Sequence, residues 1–312
     1  MTDQQTFLST RGFGETLPVE VRHEVYPFID PTPAFTSQPL NGKAVFITGA
    51  SRGIGRTTAL TFAKAGASVA ISARSSAALD ETKALVLKEV PGAKVEKFVV
   101  DVTKAGEVEG AVERTVEVFG RLDVVIANAG YGNAFDTPMA ERASADWWRT
   151  FEINVLGVFN TVQPALKHLM KTEGYIVGIT SVGAQFRSPN ASDYQSTDEM
   201  DADGQVSKHA LNRFIELVAL ENAPIKAFSL HPGAVATDLA KKSGLESKGV
   251  QFLDPPEMAA STMLWLCTGK ADWLNGRYVS VNWDLGQVKR EWKERILEKD
   301  LLVNKLDVVG SA

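Results

Sequence analysis

Three glycines define the first piece of chemistry this chain can do. Thr48-Gly-Ala-Ser-Arg-Gly-Ile-Gly55 places Gly49, Gly53 and Gly55 directly after the apolar run Ala44-Val-Phe-Ile-Thr48 and at the head of a helical stretch reaching about Gly66. Glycine lets a backbone turn tightly and approach a ligand without Cβ clashes. The helix behind it offers unpaired N–H groups and the positive end of its dipole, which together suit a pyrophosphate. Ser51, Arg52 and Ile54 complete that turn. The spacing is G-x-x-x-G-x-G, not the G-x-G-x-x-G of the best-known dinucleotide fingerprint. A glycine cluster alone is a weak signal; one set between a strand and a helix in an alternating chain is much stronger.

The second run, Ser68-Val-Ala-Ile-Ser72, ends close to Arg74, Ser75 and Ser76. An acid at that place would accept hydrogen bonds from a ribose 2′-hydroxyl. Arg74, with Arg52 in the glycine turn, instead favours a 2′-phosphate, so the reading is NADP over NAD. The plain alternative is that either arginine is a solvated surface charge.

Positioning these groups requires a sheet, and the chain supplies its strands at regular intervals. Apolar runs at Ala44–Thr48, Ser68–Ser72, Val95–Val100, Leu122–Ala127, Tyr175–Thr180, Ile225–Leu230 and Tyr278–Val281 alternate with helical stretches. This pattern predicts an α/β fold: a Rossmann-type, doubly wound parallel sheet of about seven strands with helices on both faces. The long helix of the second half is expected over about Trp147–Lys171, and later ones over 206–222 and Pro256–Leu266. Trp147 and Trp148 are adjacent and point different ways, so at most one is core. Residues 1–40 carry no period; Tyr26–Phe35 is rich in proline and aromatics and reads as an extended arm, for packing or for a partner. The organisation is therefore an arm over 1–40, one domain over 41–285, and a C-terminal helix and tail over 286–312. The charge-alternating helix at about Gln287–Leu302 is either solvated or an oligomer contact in an expected homo-oligomer, dimer or tetramer.

Composition removes other classes. A net charge of -5 with no long basic run argues against nucleic acid. Cys267 is the single cysteine, so an intramolecular disulfide is impossible. His23, His168, His209 and His231 show no metal-ligand spacing, which speaks against zinc. No signal-peptide core and no apolar run of spanning length is present, so a cytoplasmic protein without membrane contact is expected.

Taken together, the motifs resemble those of the short-chain dehydrogenase/reductase family over about residues 41–285, in the right order. The glycine turn is similar to its TGxxxGxG, and Asn128-Ala129-Gly130 to its NAG motif. Asp101-Val102 resembles the pair that meets the adenine. Asn154 lies in a stretch similar to the family's asparagine motif, and Ser181 ends the fifth strand where the catalytic serine belongs. His231-Pro232-Gly233, continuing through Val235 to Thr237, resembles the stretch that holds the nicotinamide amide. The resemblance implies hydride transfer between NADP(H) and a carbonyl or secondary alcohol. Ser181 would orient the substrate oxygen, and Asn154 would support the helix and a proton-relay water. A Tyr-x-x-x-Lys pair would supply the proton, the ammonium drawing the phenol towards neutrality.

That pair is interrupted. Lys208 fits, but four residues earlier stands Gly204. Tyr194 lies thirteen residues after Ser181, a usual family distance, yet twelve residues separate it from Ser207 where the family has two. Three readings stay open: the extra residues loop out and Tyr194 still meets Lys208; the displaced tyrosine leaves an impaired or repurposed site; or the insertion is a gene-model or splicing error. The functional readings are correspondingly an NADP-dependent oxidoreductase, or an NADP-binding protein without redox turnover that acts as a sensor or partner subunit. His209 reads as helix surface, and Asp238–Phe252 as the region that in the family forms a mobile lid, or else an ordinary surface loop.

Overall fold

The computed structural model describes residues 16–132, 140–185, 202–242, 246 and 251–306. Seven strands form one sheet: β1 (Ala44–Thr48), β2 (Ser68–Ala73), β3 (Val95–Val99), β4 (Val124–Ala127), β5 (Tyr175–Ile179), β6 (Lys226–His231) and β7 (Tyr278–Ser280). Their order is β3-β2-β1-β4-β5-β6-β7 and every pair is parallel. The order reverses direction between β1 and β4, the topological switch point at which such sheets open a crevice beyond their C-terminal ends. The expected doubly wound sheet is therefore what the chain forms.

The strands are buried on both faces, which is why they read as continuous apolar runs. In β1, Val45 and Ile47 join one core cluster and Phe46 the other. The first cluster takes α2 (Gly53–Lys64), α3 (Ser76–Glu89) and α9 (Pro256–Leu266), through residues such as Phe62, Leu79 and Met263. The second takes α4 (Ala105–Phe119), α6 (Gly157–Thr172) and α7 (Ala202–Glu221), through Val112, Val162 and Leu211. Fully burying one such side chain contributes roughly 1.5–3 kcal/mol.

Two expectations change in detail, the long helix and the irregular arm, while the limit of one core tryptophan holds. The long helix of the second half is α5 (Ser144–Phe151) and α6 joined by a wide π-type turn, Glu152–Leu156, which holds Asn154. Neither tryptophan of α5 is core: Trp147 is half-buried and meets Phe151 at a tilt, and Trp148 is exposed and stacks on it. The arm is not wholly irregular, because Thr32–Ser37 forms a short helix, α1, entered through Pro31 with Pro33 in its first turn. Proline is tolerated there because the missing N–H has no helical partner anyway.

The described part of the arm packs into the fold. Leu17, Tyr26 and Ile29 belong to the first core cluster. Residues 20–22 run antiparallel to 282–284: Arg22 N donates to Asn282 O, Asp284 N to Glu20 O, and Val21 bridges Trp283. The Arg22 guanidinium grips Asp284 at 2.6 Å, and the buried Tyr26 hydroxyl donates to Trp283 O and accepts from Leu285 N. Those two backbone groups lose their partner in Tyr26→Phe. The expected cost is about 1–3 kcal/mol, read as a lower urea midpoint with an unchanged slope; an unchanged midpoint would show that the hydroxyl does not hold the arm.

Candidate active site

The turns that follow the strands collect the motif residues at one edge of the sheet. The glycine turn follows β1, Arg74 follows β2, Asp101-Val102 follows β3, Asn128–Gly130 follows β4, Ser181 follows β5, and Pro232–Thr237 follows β6. Lys208 enters from α7 and Asn154 from the π-type turn.

The glycine turn is built against β4. Thr48 Oγ1 accepts the N–H groups of Asn128 and Ala129, both at 3.1 Å. The Asn128 amide nitrogen returns two bonds, to Thr48 O at 3.0 Å and Gly49 O at 3.1 Å. An added Cβ on Gly55 would lie 2.4 Å from Gly49 O and 2.7 Å from Asn128 Nδ2, so only glycine fits. The result is a cradle of backbone at the head of α2, the shape a pyrophosphate requires. Ser51 O is held by Arg56, Ile54 packs against the core, and Gly53 faces Thr237. The side chain of Asn128 thus braces the cradle, a task the motif alone did not disclose; Thr48 was not singled out at all.

Three arginines stand near the turns that follow the first three strands. Arg52 is exposed and pairs with Asp238 of the short helix α8 (Asp238–Lys242) at 2.9 Å. Arg74 is exposed, and Ser75 beside it caps α3. Asp101 accepts from Thr103 N and Oγ1. Burial alone would raise its pKa, but the Thr103 bonds and the charges of Arg149 and Arg74 outweigh that and hold the carboxyl below its ordinary value. Arg149, on α5, was not expected here. Val102 O accepts from Asn160, fixing Val102 against α6.

On the other side of the switch point, Asn154 is fully buried. Its Oδ1 accepts Tyr131 N at 2.9 Å, while its Nδ2 donates to Tyr131 O at 2.8 Å and Ser207 Oγ at 3.0 Å. The side chain ties the strand-β4 turn to Ser207 in the second turn of α7. Lys208 Nζ donates to Ile179 O at 2.7 Å, and Thr180 Oγ1 donates to Lys208 O. A Cβ on Gly130 would sit 3.7 Å from that ammonium and 3.6 Å from Asn154 Oδ1, so the three positions are neighbours. Ser181 Oγ accepts Gly183 N at 3.1 Å. The next N–H, of Val182, donates to His231 Nδ1 at 3.1 Å. Burial lowers His231 to about 4, against the opposing charge of Asp254, so the ring is neutral and Nδ1 can accept. His231 therefore holds the Ser181 turn; its motif place was visible in the sequence, but not this partner. His209, expected on the helix surface, is exposed and bonds Ala184 O.

The interruption is visible in the helix itself. α7 begins at Ala202, earlier than the 206 expected, and Gly204 sits one turn before Lys208 on that continuous helix. Tyr194 lies outside the described residues. The turn after β6 ends with Thr237 Oγ1 accepting Ala240 N, which starts α8 within the stretch expected to be a lid; Val235 is buried beneath it.

Burial lowers Lys208 from 10.5 to about 8. The unfolded chain keeps this proton up to about 10.5, so between those values it binds more protons than the folded chain, and stability rises with pH. This contribution is complete above about 10.5 and lost as pH falls through about 8. Lys208→Met removes it. Urea unfolding of both proteins over this range should show the wild type gaining stability relative to the variant; parallel curves would exclude the buried ammonium as the cause.

Comparison with known proteins now fits the geometry. Residues 43–248 match the family model described as short chain dehydrogenase. A short chain dehydrogenase of Monascus purpureus is 39% identical over 302 residues, covering 94% of this chain and 97% of its own. The 7alpha-hydroxysteroid dehydrogenase of Escherichia coli is 30% identical over 258 residues, covering 78% of this chain and 94% of its own. Among solved structures, levodione reductase superposes with a TM-score of 0.69 at 25% identity, over 81% of this chain and all of that one. The chain belongs to the short chain dehydrogenase family, oxidoreductases whose Rossmann-like fold carries a nicotinamide dinucleotide.

Proposed function

We propose that this protein is an NADP-dependent oxidoreductase that moves a hydride between NADP(H) and a carbonyl or secondary alcohol. The observation that carries the reading is the grouping of Lys208, Asn154 and Gly130 beside the Ser181 turn, across the switch point from a glycine cradle that no Cβ can enter. Gly49 to Gly55 would hold the pyrophosphate, Asp101 and Val102 the adenine, and Pro232, Gly233, Val235 and Thr237 the nicotinamide end. Bound there, the nicotinamide supplies or accepts the hydride.

The chain's own groups handle position and protons. The Ser181 hydroxyl orients the substrate oxygen. Tyr194 exchanges the proton, and Lys208, charged below about 8, favours the phenolate and grips the nicotinamide ribose. Asn154 keeps the β4 turn and α7 in register. The names of the hydroxysteroid and levodione relatives make alicyclic ketones and alcohols the first substrates to try. Exposed Leu156, Phe159 and Leu220 support a homo-oligomer, dimer or tetramer.

Gly204 on α7 favours a second reading, cofactor binding without turnover. Titration of NADPH by fluorescence, followed by its oxidation with alicyclic ketones, separates the two. Turnover that falls at least a hundredfold in both Tyr194→Phe and Ser181→Ala supports the enzyme. Tight binding with no oxidation of NADPH, before and after removal of residues 195–204, supports the second reading. For the cofactor, Arg74→Asp should move the NADPH-to-NADH preference in kcat/KM towards NADH by at least about tenfold. An unchanged ratio would make Arg74 a plain surface charge.

A further inference from the structure

The carboxylate of Asp254 joins three distant segments. Its side chain is 1% exposed and takes donors on both oxygens. Oδ2 accepts Ala234 N at 2.6 Å and Asn282 Nδ2 at 3.0 Å; Oδ1 bonds His23 Nδ1 at 2.7 Å. Asp254 N also donates to Ala234 O. Gly233, at φ +85, has no room for a side chain, since a Cβ would lie 2.5 Å from Asp254 Oδ2. The second hydrogen of the Asn282 amide goes to Arg22 O, next to His23 in the arm.

We propose that Asp254 is the positioning residue of the 232–237 turn, and that His23 of the N-terminal arm is its working partner. The arm is thereby part of the cofactor site. A buried carboxylate must be satisfied by donors, and here the donors set where it sits. Its place fixes Ala234 and leaves room only for a glycine at 233. The same turn begins at His231, which holds the Ser181 loop, and ends at Thr237, which starts α8. A shift of the carboxylate therefore moves groups on both sides of the nicotinamide. The arm stays docked without His23, because Arg22 and Tyr26 anchor it separately. His23 is also 51% exposed in its side chain, so its replacement leaves no buried hole.

The inference rests on the reading that residues 232–237 hold the nicotinamide end, and the test separates the two. Full-length protein is titrated with NADPH and with 2′-phospho-ADP-ribose, which lacks the nicotinamide; if NADH binds more tightly, it and ADP-ribose replace them. His23→Leu should weaken NADPH about three- to tenfold and leave the fragment within twofold. His23→Asn, whose amide nitrogen takes the place of Nδ1, should restore it. Asp254→Asn should weaken NADPH more than His23→Leu does; if it fails to fold, the two His23 variants decide. Equal weakening of NADPH and fragment, or no weakening of either, overturns the proposal while the cofactor reading stands. Failure of the wild type to bind either dinucleotide overturns the cofactor reading itself, and the proposal with it.

Discussion

The arrangement depends on one short-range tie, between the ends of β1 and β4. Thr48 Oγ1 receives two N–H groups from the β4 turn, and Asn128 sends two back. Four bonds across the switch point bring two backbones so close that side chains are excluded from Gly49 and Gly55. The bonded groups are half-buried, and each net bond contributes roughly 0.5–1.5 kcal/mol, so the turn cannot relax without losing several at once. The head of α2, the Gly130 turn and, through Asn154, the second turn of α7 all take their places from this tie.

From there outward, the site is held mostly by bonds that chemistry does not consume. Asn154 bridges the peptide of Tyr131 to Ser207, and His231 accepts from Val182. The π-type turn Glu152–Leu156 is the local departure from α-helix that brings Asn154 inward. Such single wide turns often mark functional positions. Ser181 and Lys208 are each fixed by a main-chain partner of β5 or its turn.

Legibility in the sequence followed the range of the interaction. The sheet and its helices were readable because buried parallel strands are continuous apolar runs. The glycine turn, Asn128–Gly130 and Ser181 were readable because they sit at fixed offsets from those runs. α1 was not, because Pro31 and Pro33 argue against a helix except at its first turn. The early start of α7 was hidden by a polar, glycine-containing lead that carries no apolar period. Asp254 and His23 are 231 positions apart, and His231 and Val182 are 49 apart. No local pattern announces such partners. Arg52 was read as a cation and is one, but its tie to Asp238 depends on how the chain returns after β6.

The anchoring of Lys208 has a further consequence. Its ammonium is placed by the Ile179 carbonyl and by the seating of α7 on the sheet, neither of which involves residue 204 or the chain before it. Lengthening the connection ahead of α7 is therefore nearly neutral for folding: doubling a loop costs only about 0.6 kcal/mol, against a typical domain stability of 5–15 kcal/mol. The seat of Lys208 is therefore set by the sheet and the body of the helix, and the scaffold can hold that ammonium whatever length of chain leads into α7.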